Sequence, residues 1–134
     1  GAIENLTIRN NTGFATNALL IAEGNPQRGF AMYNNIFARG KYGIKGSTSE
    51  GTATLDAHMP GYYFKRNVLI GASQSRYPSD NFFPASESSV GFANFSGGDY
   101  RLSAGSQYRN MGTDGRDPGA DVGTLMSRTA NVAR

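Results

Sequence analysis

Tyrosines and basic residues recur at matching places in three short segments of the chain, and these residue types suit contact with a ligand. When the segments are aligned, Arg9, Tyr33 and Lys65 share one position, and Tyr63 lies two residues before Lys65. Tyrosine rings beside cations can stack on sugars and form charge-assisted hydrogen bonds with acidic groups. The pattern therefore indicates a candidate carbohydrate-binding face of Arg9, Tyr33, Tyr63 and Lys65. Residue types alone favour a plainer alternative, a solvated face on which Arg9 and Lys65 flank Tyr33 through cation–π contacts.

Acidic residues and the single histidine give weaker signals for chemistry. A glycosidase needs two carboxyl groups about 5 to 9.5 Å apart, whereas the acids of this chain are scattered over different predicted elements. They include Glu4, Glu23, Glu50, Asp56, Asp80, Glu87 and Asp99. His58 lies two residues from Asp56, which allows a His–Asp pair, but an exposed loop imidazole is the favoured interpretation. No catalytic residue is predicted, and whether the protein is an enzyme stays open.

The stretch "TDGRDPGAD" gathers Asp114, Asp117 and Asp121 among glycines. Hard oxygen ligands on a flexible turn suit calcium, but the alternate-position spacing of a calcium-binding loop is missing. A structural turn in which Asp side chains accept hydrogen bonds from backbone amides is favoured instead. We therefore predict neither a metal nor a cofactor.

Composition limits the class of protein. The 134 residues suit one domain, with 38% hydrophobic residues and 18 glycines, which favours a strand-rich and turn-rich globular protein. The net charge of +3 comes from scattered residues, so it gives no indication of nucleic acid as a partner. No apolar run approaches the roughly 18 residues that a membrane span needs, so no membrane partner is predicted. Cysteine is absent, which excludes disulfides and thiolate metal ligands.

The elements that would position the tyrosines come from an internal repeat. "NLTIRNNTGF" (5–14) aligns with "GFAMYNNIFA" (29–38) and "YYFKRNVLI" (62–70), which superposes three asparagines. The three are Asn11, Asn35 and Asn67, at offsets of 24 and 32 residues. Apolar and outward residues alternate in all three copies, which is typical of half-buried strands. Asn34 is predicted to end its strand and Asn35 to be the bend residue, because asparagine tolerates left-handed backbone angles.

A second segment repeats with the same offset, since "NALLIAEG" (17–24) aligns with "KYGIKGS" (41–47). This alignment places Ala18 opposite Tyr42 and Leu20 opposite Ile44. The longer second offset is assigned to "STSEGTATLDAHMPG" (47–61), which is predicted to be a surface loop. Units of about 20 to 25 residues with short strands and glycine-rich bends are typical of a β-solenoid. An antiparallel sandwich is the alternative, but the only Asp-Gly turn signal, Asp114-Gly115, lies beyond the repeats.

The ordered motifs "GYYFKRNVLIG", "VGFANF", "GDYRL", "SQYRN" and "TDGRDPGAD" give a family resemblance. The chain resembles the last rungs and C-terminal cap of bacterial right-handed parallel β-helix proteins of the pectin-lyase-like superfamily. The resemblance implies an all-β solenoid fragment of about three rungs with an irregular cap and a short helix. It implies one domain over 1–134, with rungs in 1–71 and a loop, final strands and cap in 72–134. It also implies a ladder of stacked asparagine amides formed by Asn11, Asn35 and Asn67.

The implied β-solenoid with a C-terminal cap leads to predictions for the remaining segments. Residues 71–89 form a long loop that packs Phe82 and Phe83 against the solenoid, and strands follow at 90–95 and 100–102. A helix at 124–133 begins at Thr124 as its N-cap. No capping element precedes the first rung, so we expect a longer parent β-helix or a homo-oligomer that covers the open end.

For function, the resemblance implies an extracellular carbohydrate-associated module, secreted or at the cell surface, with a polysaccharide as partner. The module is expected to be non-catalytic by itself. Lyases of this superfamily use aspartates that hold calcium together with an arginine base, and the aligned outward positions here carry no carboxylate. Two alternatives stay open: a self-associating structural module that uses the uncapped N-terminal rung, and the remnant of a polysaccharide lyase or hydrolase.

Overall fold

The computed structural model describes residues 5–22 and 26–120. Ten short strands dominate this part of the chain. They are β1 (Thr7–Arg9), β2 (Thr12–Phe14), β3 (Ala18–Ile21), β4 (Ala31–Tyr33), β5 (Ile36–Ala38), β6 (Gly43–Lys45), β7 (Tyr63–Lys65), β8 (Val68–Ile70), β9 (Phe92–Asn94) and β10 (Asp99–Leu102). One α-helix, α1 (Thr52–His58), and two 3-10 turns, Gln74–Arg76 and Glu87–Ser89, complete the elements. The helix predicted at 124–133 lies outside the described residues.

The strands form four small sheets, three of which are parallel. One sheet has the order β1-β4-β7, a second β2-β5-β8, and a third pairs β3 with β6. Of the ten strands in the described part of the chain, only β9 and β10 pair with each other in an antiparallel manner. The prediction of a mostly β domain is confirmed, and the antiparallel sandwich is excluded by the parallel pairing of β1 to β8. Within residues 5–22 and 26–120, no helix is long and apolar enough to cross a bilayer.

The register of the first sheet follows the sequence alignment. Thr7 pairs with Ala31 and Ala31 with Tyr63, while Arg9 pairs with Tyr33 and Tyr33 with Lys65. The intervening residues face the interior, where Met32 and Phe64 are at most 3% exposed and Ile8 packs against the same core cluster. Alternation of period two thus fixed both the register and the buried face, because a slip of one residue would turn the apolar set outward.

The pairing of β3 with β6 departs from the predicted alignment. Leu20 lies opposite Ile44 as expected, but Ala18 pairs with Gly43 and not with Tyr42. Two steps along β3 therefore match one step along β6, which is a β-bulge with one extra residue. Gly43 has a φ of +65°, a conformation that costs glycine little and other residues more.

The predicted roles of the two adjacent asparagines at 34 and 35 are also corrected. β4 ends at Tyr33, and Asn34 is the left-handed bend residue with a φ of +59°. The equivalent residues Asn10 and Arg66 have φ values of +52° and +56°. The tolerance of asparagine for positive φ is therefore used one position earlier than the sequence alignment suggested.

The segment 47–61 is not the surface loop that its composition predicts. It contains α1, in which Thr54 and Leu55 are fully buried, and Met59 just after the helix is 3% exposed. Leu55 and Met59 belong to the same apolar cluster as Met32 and Phe64. The helix therefore contributes to the core, because Leu55 and Met59 lie four residues apart and share one helical face.

The chain after β8 returns to the parallel sheets before it reaches the antiparallel hairpin. Phe82 forms a parallel bridge with Val68, and both Phe82 and Phe83 pack against the core clusters, as predicted. The two final strands also form where expected, as β9 and β10 within 90–95 and 99–102. The second core cluster joins β5 and β8 to Val90 and Tyr108.

Candidate functional site

The four predicted ligand-binding residues lie together on the outward face of the β1-β4-β7 sheet, here called the aromatic face. Arg9, Tyr33 and Lys65 are register partners on adjacent strands, which parallel pairing holds about 4.8 Å apart. The rings of Tyr33 and Tyr63 meet edge to face, with centroids 5.4 Å apart and planes at 86°. The ammonium group of Lys65 lies 5.4 Å from the centre of the Tyr63 ring. Tyr63 keeps 42% of its surface exposed.

The cation–π contact on this face differs from the predicted alternative. Lys65 lies over Tyr63, and no cation–π contact to Tyr33 is found within the described part of the chain. Arg9 and Lys65 are exposed, whereas Tyr33 is half-buried. Tyr63 is therefore the ring that is open to a ligand, and Tyr33 supports it from the side.

The outward residues of the aromatic face are suited to contact with a ligand. Its six outward positions hold Thr7, Arg9, Ala31, Tyr33, Tyr63 and Lys65. This set offers a stacking surface, two cations and hydroxyl groups but no carboxylate. General acid–base hydrolysis of a glycosidic bond needs a carboxyl pair, so these positions alone do not supply it.

Behind this face, a row of asparagine amides is joined by hydrogen bonds. Asn11 Nδ2 donates to Asn35 Oδ1 at 3.2 Å, and Asn35 Nδ2 donates to Asn67 Oδ1 at 2.8 Å. The row continues beyond the predicted three residues, because Asn67 Nδ2 donates to Asn81 Oδ1 at 3.0 Å. Asn35 and Asn67 are completely buried and Asn81 is 8% exposed. We call these four residues the asparagine ladder.

Asn81 was missed because it lies only 14 residues after Asn67, outside the offsets of 24 and 32 that defined the repeat. A sequence signal was nevertheless present. Each buried ladder asparagine precedes two apolar residues, in "NIF", "NVL" and "NFF". A search for this short pattern would have found the fourth member.

Backbone groups also bond to each amide of the ladder. The Oδ1 of Asn67 accepts a second hydrogen bond from the backbone N–H of Asn35 at 3.2 Å, and its Nδ2 donates to the carbonyl of Met32 at 3.0 Å. Asn35 repeats the scheme, with the backbone N–H of Asn11 and the carbonyl of Ile8 as partners. Both donors and the acceptor are thus engaged. The geometry therefore assigns the amides of Asn35 and Asn67 to connecting successive chain segments, with none of their donors free for a ligand.

A polar cluster that the sequence did not reveal surrounds Glu50. Arg39 donates to the Glu50 carboxylate from Nε and Nη2 at 2.7 and 2.6 Å, and the Tyr77 hydroxyl donates to it at 2.8 Å. The same Tyr77 hydroxyl accepts the backbone N–H of Ile44 at 3.1 Å. The hydrogen bonds from Arg39 hold the pKa of Glu50 below its ordinary value, and burial raises the pKa of Tyr77. This cluster connects three parts of the chain that are distant in sequence.

The aspartates of "TDGRDPGAD" take the predicted structural role where they are described. Asp114 Oδ1 accepts the backbone N–H of Arg116 at 3.0 Å, and Asp117 Oδ1 accepts that of Asn110 at 2.8 Å. Asp121 lies outside the described residues. No group of three or more potential metal-binding side chains occurs in 5–22 and 26–120. His58 is the last residue of α1 and half-buried, so it does not occupy an exposed loop.

Comparison of the chain with protein-family models, with curated proteins and with solved structures found no match.

Proposed function

We propose that this chain is a right-handed parallel β-helix module that binds a carbohydrate on the aromatic face. The observation that carries the binding proposal is the arrangement of Tyr63, which is exposed, held edge to face by Tyr33 and covered on one side by Lys65. The module acts by binding and not by catalysis. Its proposed location outside the cell, secreted or at the cell surface, rests on the family resemblance alone.

Three features support the β-helix. Successive passes of the chain add one strand each to the same parallel sheets, in the orders β1-β4-β7 and β2-β5-β8. The asparagine ladder joins these passes at one bend. Crossover connections between parallel strands are right-handed in about 98% of cases, which favours the right-handed coil.

Carbohydrate recognition suits the aromatic face for a physical reason. The apolar face of a sugar ring packs against an aromatic ring, while its hydroxyl groups need donors and acceptors at the rim. Tyr63 supplies the ring, Lys65 supplies a donor beside it on the same strand, and Arg9 supplies a donor at the opposite edge of the sheet, beyond Tyr33. Because Tyr33 packs against it, Tyr63 loses less side-chain freedom on binding than an unsupported ring would.

The experiment is glycan-array screening of the full chain, followed by titration of the bound glycan with variants. Tyr63→Ala is expected to weaken binding by at least about fivefold, since it removes a stacking contact of about 1 kcal/mol or more. Lys65→Ala is also expected to lower the affinity for the glycan, because it removes a hydrogen-bond donor beside Tyr63. Tyr42→Ala is the matched control, because Tyr42 is 39% exposed and has Lys45 4.3 Å from its ring centre but lies off this face. Equal losses in the Tyr63 and Tyr42 variants, or no glycan bound by the wild type, would contradict the proposal.

A second candidate function, self-association, is favoured by the sheet edges. β1 and β2 are the outer strands of their sheets, and β3 pairs with β6 alone within the described residues. All three edges belong to the first pass of the chain, and Ile21 in β3 is 60% exposed. Unpaired edges of this kind are templates for pairing with another chain.

A further inference from the structure

A half-open groove of about 770 Å³ is lined by Arg9 but not by Tyr63 or Lys65. Three elements form it: the bend after β1, the strand β10, and the turn segment 109–120. Its charged lining residues are Arg9, Arg101, Arg109, Arg116, Asp114 and Asp117. Four guanidinium groups against two carboxylates give the groove a positive balance. Tyr100 adds one aromatic ring to the wall.

The four arginines fall into two pairs. Arg101 is held by Asp99 through two hydrogen bonds of 2.8 and 2.6 Å, and Arg109 lies 3.5 Å from Asp117. Arg9 and Arg116 are exposed and have no carboxylate partner among residues 5–22 and 26–120. Two guanidinium groups of the groove are therefore already paired, and Arg9 and Arg116 are available to an incoming anion. The remaining lining carboxylate, Asp114, accepts the backbone N–H of Arg116 at 3.0 Å, and two available cations against this one carboxylate keep the groove positive.

The groove is built before any ligand arrives, because its two sides are tied together. Asn34 Nδ2 donates to Thr113 Oγ1 at 2.9 Å, and the backbone N–H of Thr113 donates to Asn34 Oδ1 at 2.8 Å. Gly119 N–H donates to the carbonyl of Asn34 at 2.8 Å, and Ala120 N–H to Thr12 Oγ1 at 2.9 Å. These bonds fix the turn that carries Arg116 against the bend after β4 and against the start of β2, and β2 follows the bend after Arg9. Such preorganisation lowers the entropic cost of binding.

We propose that this groove binds a phosphate or sulfate group, with Arg9 and Arg116 as its main ligands. The guanidinium fork matches the oxygens of such groups and forms bidentate charge-assisted hydrogen bonds. The two available arginines come from separate elements, so they approach the anion from different directions. A tetrahedral group presents oxygens in several directions, whereas a carboxylate presents two in one plane. The groove is therefore a site for a phosphate ester or sulfate ester.

This site is distinct from the aromatic face, although Arg9 borders both. Arg116, Arg109 and Tyr100 belong to the groove alone, and Tyr63 and Lys65 do not line it. A substitution of Arg116 therefore tests binding in the groove, and a substitution of Tyr63 tests binding on the aromatic face, each without changing the other site.

The test is titration of the full chain at constant ionic strength with polyphosphate, dextran sulfate, neutral dextran and polygalacturonate. Polyphosphate or dextran sulfate is expected to bind about tenfold or more tightly than polygalacturonate, and neutral dextran more weakly still. Preference for polyphosphate or for dextran sulfate identifies whether the groove takes a phosphate group or a sulfate group. Arg116→Gln is expected to weaken binding of the preferred probe about tenfold, the loss of one charge-assisted contact. Arg116→Lys keeps the positive charge but loses the bidentate guanidinium geometry. Its affinity for the probe is expected to lie between those of the wild type and of Arg116→Gln.

Arg28→Gln is the matched control, because Arg28 is also exposed, the change in net charge is the same, and it does not line the groove. It is expected to change affinity less than about twofold. Tyr63→Ala is expected to leave binding of the anionic probe intact, which separates this proposal from carbohydrate binding on the aromatic face. Absence of binding by the wild type, equal affinity for polygalacturonate, or equal losses in the Arg28 and Arg116 variants would overturn the proposal.

Discussion

At the scale of single residues, the two adjacent asparagines divide two tasks between them. Asn34 takes the left-handed bend and uses its amide to hold Thr113, 79 residues away. Asn35 is fully buried and joins its neighbours in the ladder. Both tasks need a short side chain with a donor and an acceptor. The difference follows from position, because consecutive side chains at this bend point to opposite sides of the chain.

The central member of the ladder is expected to contribute most to stability. Asn67→Ala removes the acceptor for the buried N–H of Asn35 and the donor to Met32, and each buried group left unpaired costs about 1–3 kcal/mol. We expect a loss of at least about 2 kcal/mol in the free energy of unfolding. Urea denaturation followed by circular dichroism measures it.

Asn11→Ala supplies the comparison, because Asn11 is exposed at the end of the ladder. Its loss is expected to stay below about 1 kcal/mol, since water replaces the missing partner. If both variants lose less than about 1 kcal/mol in the free energy of unfolding, the ladder contributes little to stability.

At the scale of elements, the cluster around Glu50 fixes the segment that carries α1. Glu50 forms an antiparallel bridge with Lys45 at the end of β6, directly before the helix begins at Thr52. Its carboxylate accepts hydrogen bonds from Arg39, which directly follows β5, and from Tyr77 in the loop after β8. The salt bridge to Arg39 is mostly shielded, since only 10% of the Glu50 side chain is exposed. The helix is therefore held at both ends, by this cluster and by burial of Met59.

This cluster predicts a dependence of stability on pH. The pKa of Glu50 in the folded chain lies below its ordinary value of 4.5, so the contribution is present above about pH 4.5 and is lost as the pH falls through the lower folded pKa. Glu50→Gln is expected to be less stable than the wild type at pH 7 and to lose less stability than the wild type on acidification to about pH 3. Urea denaturation at both pH values measures the difference.

Glu87→Gln is the control for this experiment, since Glu87 forms no ion pair within the described part of the chain. It is expected to keep the pH dependence of the wild type. A Glu50→Gln variant with an unchanged acid response would mean that other carboxylates govern acid unfolding.

At the scale of the whole molecule, the proposed self-association depends on the edge strands. Because Ala31 N–H donates to the carbonyl of Leu6, the N–H and C=O groups of Thr7 point away from β4 in the alternating pattern of a parallel pair. Among residues 5–22 and 26–120, they lie on the edge of the β1-β4-β7 sheet that has no partner strand. An added strand would pair there and extend the sheet.

Self-association through this edge is therefore sensitive to the backbone of Thr7. Thr7→Pro removes the outward N–H and is expected to abolish concentration-dependent assembly, while Thr7→Ala keeps the N–H and is expected to preserve it. Light scattering over a range of concentrations measures the mass. A wild type that stays monomeric at high concentration would exclude self-association as the function.

The sequence by itself determined the mostly β class, the buried and outward faces, the register of the first sheet and the alignment of Asn11, Asn35 and Asn67. These features follow from alternation of period two and from a repeated residue, which are local patterns. Only the tertiary structure decided that Leu55 belongs to the core and that Glu50 organises a polar cluster. The groove between Arg9 and Arg116 also emerged only there. The physical reason is that these contacts join aperiodic segments distant along the chain, so no spacing in the sequence records them.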